Sequence, residues 1–82
     1  MERSRNRFRA QGVSLASKML QALADSVVDS EYEDMRRGLL CAAGFTSVLS
    51  SALVSGGQEL AFIDIDGDSF PVDLTLRVAG ES

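Results

Sequence analysis

The hydrophobic pattern of this chain changes period once, at Gly56-Gly57. Before that pair, apolar residues recur every three or four positions, which gathers them on one face of a helix. After it they alternate with polar residues, which is the pattern of a strand with one buried face. A chain written this way can fold only as helices first and strands second.

The alternating half contains its own turn. Asp66-Gly67 separates ELAFIDI (59–65) from SFPVDLTLRV (69–78), and a two-residue loop of type I′ needs positive φ at both central positions, which Asp-Gly tolerates. That loop pairs Ile65 with Asp68, Ile63 with Phe70, Phe62 with Pro71 and Ala61 with Val72. Ala61, Ile63, Ile65, Phe70, Val72, Leu74, Leu76 and Val78 then share one face, and Asp64, Ser69, Asp73, Thr75 and Arg77 the other. A slip of one residue would mix the two sets. Pro71 falls in a non-hydrogen-bonded pair, so its missing N–H points outward. The second strand is therefore a poor neighbour on that side, and any third strand is expected beside the first.

The helical half divides at Asp29-Ser30. Residues 13–28 carry Ala16, Met19, Leu20, Leu23, Ala24, Val27 and Val28 at helical spacing. Gly12 leaves the start open, at Ser14 or back in the residues before it. Ser30 with Glu33 spells a capping box, and Glu31, Glu33 and Asp34 suit the positive end of a helix dipole, so a second helix is expected from about Glu31. The short link predicts an antiparallel pair. Gly44 allows either one helix or two over 31–56, and Gly56-Gly57 should end it. Ala43, Ser47, Ser51 and Ser55 form a stripe of small residues that another helix can approach closely, either the first helix or one from a second copy of the chain. The predicted class is α+β: an N-terminal helical hairpin packed on one face of a C-terminal antiparallel β-hairpin, with a sheet that dimerisation can extend. The 82 residues make one domain, divided into a basic flexible arm over 1–9 and a single small domain over 10–82.

Residues 38–56 hold no charge and follow Arg36-Arg37, a length that can span a bilayer. Their polar residues are segregated, with Ser47, Ser51 and Ser55 on one line and Thr46 and Ser50 beside it. Segregation of that kind suits a buried helix of a soluble protein. A small single-span membrane protein is the third-ranked reading. The stretch after the basic N-terminus is amphipathic rather than continuously apolar, so no secretory signal is expected and a cytoplasmic location is.

Little in the sequence points to chemistry. There is no histidine, and the one cysteine, Cys41, can form no internal disulfide. Cys41 sits in an apolar run and is expected as a small core residue. Asp64, Asp66 and Asp68 match the first three ligand positions of an EF-hand, but Ser69 replaces the required glycine and Thr75 the bidentate glutamate. The aspartates are read as solvating a turn and discouraging edge-to-edge aggregation. No catalytic residue, metal site or cofactor is expected.

Two binding surfaces stand out. Leu60 and Phe62 fall on the nominally outer face of the hairpin, with Pro71 and Asp73 across from them, and a contiguous exposed apolar patch marks a contact site. The expected function is accordingly a non-catalytic protein-interaction module. It would be homodimeric, and an inhibitor or adaptor that occludes or bridges a protein partner of unknown identity, of the kind a phage or mobile element encodes. The alternative rests on Arg3, Arg5, Arg7 and Arg9. Against Glu2 they leave three positive charges on the arm and seven negative charges on the rest of a chain whose net charge is −4. Such an arm can touch nucleic-acid phosphates, although the acidic body repels them.

Overall fold

The computed structural model describes residues 2–77, with side chains from Arg7 onward. Val78 and the side chains of Arg3 and Arg5 lie outside the described residues. The order is α1 (Glu2–Asp25), a 3-10 turn (Ser30–Tyr32), α2 (Glu33–Val54), β1 (Gln58–Ile65) and β2 (Asp68–Thr75). The strands form a two-stranded antiparallel sheet. This is the expected α+β arrangement, two helices packed against one hairpin.

Of the two starts that Gly12 left open, α1 takes the earlier. Residues 2–9 of the expected flexible arm are its first turns. Arginine is among the better helix formers, and Gly12, with open space around it, costs only about 1 kcal/mol relative to alanine. The capping box at Ser30 does not form. Instead Asp29 Oδ1 accepts from the Glu31 amide at 3.0 Å, and Ser30–Tyr32 makes a 3-10 turn. Glu33 turns away from the cap toward Arg36, whose Nη2 lies 2.6 Å from Glu33 Oε1. A charge-assisted bond outcompetes a neutral backbone amide.

The α2 helix is single and passes through Gly44 without a break. Its end follows the expected glycine chemistry. Gly56 has φ +88°, and the Gly57 amide reaches back to Ala52 O at 2.7 Å, the six-to-one bond of a Schellman cap. Beyond it, the hairpin has the expected register throughout, from Ile65 opposite Asp68 to Ala61 opposite Val72 and on to Gln58 opposite Thr75. Asp66 at φ 53° and Gly67 at φ 90° give the two positive φ values of the type I′ loop.

The two helices run antiparallel. Ser17 Oγ donates to Ala43 O at 2.6 Å, and Ser50 Oγ donates to Ala10 O at 2.8 Å. Ala10, Ser17 and Ala24 are spaced by sevens, as are Ala43 and Ser50, and seven residues is close to two full turns. Small residues therefore recur along one line of each helix, letting the backbones approach. The contact between the helices uses only part of the expected packing stripe. Ala43 does meet α1, but Ser47 and Ser51 are exposed. Ser55 belongs to the turn, with its Oγ 2.8 Å from Ser51 O and 2.9 Å from Gln58 O.

Between α2 and the sheet sits a small core. Val48, Ile63 and Ile65 are buried together, with Leu40, Ala61, Val72 and Leu74 around them. Cys41, expected in the core, is exposed. It lies seven residues, about two turns, before Val48 on nearly the same line of α2, but Leu40 rather than Cys41 packs against the Val48, Ile63 and Ile65 cluster.

Candidate functional site: the free edge of the first strand

Register decides which backbone groups of β1 remain available. Ile65 and Asp68 flank the two-residue loop as a hydrogen-bonded pair, so hydrogen bonding alternates from there. Asp64, Phe62 and Leu60 fall in the non-hydrogen-bonded pairs, and their N–H and C=O groups point away from β2. The matching positions on β2 include Pro71, which has no N–H to offer.

The side chains of the same residues emerge on the outer face. Leu60 is 68 % exposed and Phe62 66 % exposed. Phe62 stands opposite Pro71 and Leu60 opposite Asp73, so the four residues expected to bind a partner form one patch across the two strands. Among the described residues, neither a helix nor the N-terminal segment covers it. Beside the β1 edge, a cleft of about 280 Å³ runs between the sheet and the helices, with Gly44, Ser47 and Ser51 on one wall and Glu59 and Phe62 on the other. This cleft is what the small stripe of α2 contributes. The stripe is visible in the sequence and suits a helix partner equally well, because pattern alone does not say which side the sheet occupies.

The aspartates of the turn are tied as well as solvated. Arg36 Nη2 lies 2.6 Å from Asp66 Oδ2, and Arg37 stands 3.8 Å from both Asp66 and Asp68. The hydrogen bond from Arg36 is the main reason the Glu33 carboxyl lies below its usual pKa, and the Glu33 and Asp66 bonds in turn raise that of Arg36. The signal was present as Arg36-Arg37 set against Asp-Gly-Asp, but nothing local shows that positions thirty residues apart meet. Among the described residues, no group of three or more metal-ligating side chains comes together.

The tether is exposed, so its worth is modest. Arg36→Ala should lower stability only slightly and speed amide exchange at Asp66–Asp68, read by hydrogen exchange and urea unfolding. Unchanged exchange there would show that the ion pairs do not hold the tip.

Of the four arginines of the alternative reading, Arg7 and Arg9 have described side chains. Arg7 and Arg9 are both exposed on α1, but two positions apart on a helix they point roughly 160° from each other. Comparison with protein-family models, with curated proteins and with solved structures finds no match for this chain.

Proposed function

We propose that this chain is a non-catalytic interaction module that takes up an extended segment of a partner protein along β1. The observation that carries the reading is the coincidence at Leu60, Phe62 and Asp64. These residues present backbone donors and acceptors that β2 does not use, and Leu60 and Phe62 add exposed apolar side chains on the same edge. Added strands gain affinity from main-chain hydrogen bonds and specificity from alternate side chains in pockets. The cleft beside Gly44, Ser47 and Ser51 is a pocket for one such side chain. Occupying a partner's segment in this way fits an inhibitor or an adaptor.

A peptide-display selection on the immobilised chain tests the reading. Enriched sequences should alternate apolar and polar residues and lack proline. Phe62→Asp should weaken the best of them by about 30-fold or more, the loss typical of an interface anchor. Ser51→Phe, at an exposed position, should block the cleft and weaken them too. Peptides that bind the Phe62→Asp protein undiminished, or that show helical spacing, would refute strand addition.

A further inference from the structure

The sheet covers one side of the helical layer only. Ala10, Ser17 and Ala24 of α1 turn toward Ala43 and Ser50 of α2. At 100° per residue, this puts Val13, Ala16, Leu20, Leu23 and Val27 on one flank of α1. The corresponding flank of α2 holds Met35, Leu39, Ala42, Leu49 and Leu53, while Leu40, Gly44 and Val48 turn to the sheet. In an antiparallel pair, both flanks face the same way. The result is an apolar surface two helices wide: Leu39 to Leu53 holds no charge, and Lys18 and Asp25, the two charges between Val13 and Val27, fall on the other flank of α1. Leu23 is 54 % and Met35 53 % exposed on it.

We propose that a second copy of this chain covers this surface, head to tail, giving a four-helix layer with a sheet on each outer side. The area is sufficient. The 22 residues of α2 span about 33 Å, and two adjacent helices are roughly 18–20 Å wide, so two such faces remove on the order of 1,200 Å² from water, the size of a stable interface.

Charge sets the orientation. One end of the helical hairpin carries Arg7 and Arg9; the other carries Asp25, Asp29, Glu31 and Asp34. Arg36 and Arg37, at the acidic end, are engaged with Glu33, Asp66 and Asp68. A two-fold axis across the helices sets each basic end against the partner's acidic end, whereas a parallel pair would oppose like charges. Ser30–Val54 is long and apolar enough to cross a membrane. In this fold, however, α1 and the sheet cover two sides of α2 and bring Lys18, Glu59 and Asp64 with them. The dimer goes beyond the strand-addition reading and leaves Leu60 and Phe62 facing outward on both copies.

Sedimentation velocity and light scattering on the whole chain at micromolar concentration test this. The wild type should have twice the 8.8 kDa chain mass. Ala16→Glu and Leu23→Glu change residues exposed in the protomer, so they should give a helical monomer by circular dichroism, with dimerisation weakened about 30-fold or more. Arg9→Glu and Asp34→Arg should each weaken the dimer, and the double variant should recover it, because only head-to-tail pairing sets position 9 near position 34 of the other copy. A monomeric wild type overturns the proposal, with or without binding to phosphatidylcholine vesicles. So does a dimer unaffected by Ala16→Glu. A double variant no better than the singles overturns the head-to-tail arrangement. Phe62→Asp should leave the dimer intact; dissociation by that change alone would move the interface to the sheet and overturn the proposal while leaving strand addition standing.

Discussion

Ile63→Ala should remove about 2–5 kcal/mol of stability and leave much of the protein unfolded at room temperature. The reason is how little else the core contains. Among the described residues, the buried apolar ones apart from Ile63 are Ile65, Val48 and four alanines, and no large side chain is completely enclosed. A chain of 82 residues has a total stability of roughly 4–12 kcal/mol at ordinary values per residue, and this core argues for the lower part of that range. Truncation deletes the methylenes that join Val48 of α2 to the sheet. The cavity collapses poorly, because the type I′ turn and the pairing with Phe70 hold the strand in register. Urea unfolding followed by circular dichroism measures the change. Leu60→Ala, three positions away on the same strand but 68 % exposed, is the comparison and should stay within about 0.5 kcal/mol of the wild type. Equal losses from the two would mean that Ile63 is not the centre of the core.

The parts of this fold legible in the sequence are those set by local rules. Asp66-Gly67 and the period of two fixed the hairpin register residue by residue, because positive φ and alternation leave one solution. Gly56-Gly57 fixed the end of α2 for a similar reason. Misreadings arose where two local rules competed or where contacts were distant. Ser30 and Glu33 satisfied a capping pattern, but Arg36 offered Glu33 a stronger partner one turn on. Ser47 and Ser51 looked like a seam with α1 or with a second copy, whereas the seam with α1 follows the sevenfold spacing of Ala10, Ser17 and Ala24 against Ala43 and Ser50. Both lines were visible in α2, and choosing between them needed the matching line on α1. The patch at Leu60 and Phe62 followed from register alone. The cleft beside it did not, since it depends on how the hairpin is seated on α2.

Gly44→Ala should destabilise the protein by about 1–2 kcal/mol, although alanine is the better helix former by about 1 kcal/mol. A Cβ at position 44 would lie 2.6 Å from Ile63 Cγ2, 3.1 Å from its Cγ1 and 3.3 Å from its Cβ. These atoms cannot swing aside. They are close to the backbone of a β-branched residue, stiff at χ1, in a strand held by its neighbour. Relief requires β1 to move off α2, which loosens the whole core. Gly38 supplies the contrast: it lies in the same helix with nothing within 4 Å of a built Cβ, so Gly38→Ala should gain about 0.5–1 kcal/mol. The decisive experiment combines the two core changes. In an Ile63→Ala background the γ carbons are gone, and a methyl at position 44 both favours the helix and fills part of the cavity. There Gly44→Ala should stabilise, a reversal of sign that only direct contact between the two residues explains. If Gly44→Ala proves stabilising in the wild-type background as well, α2 and β1 are not as close as the structure has them.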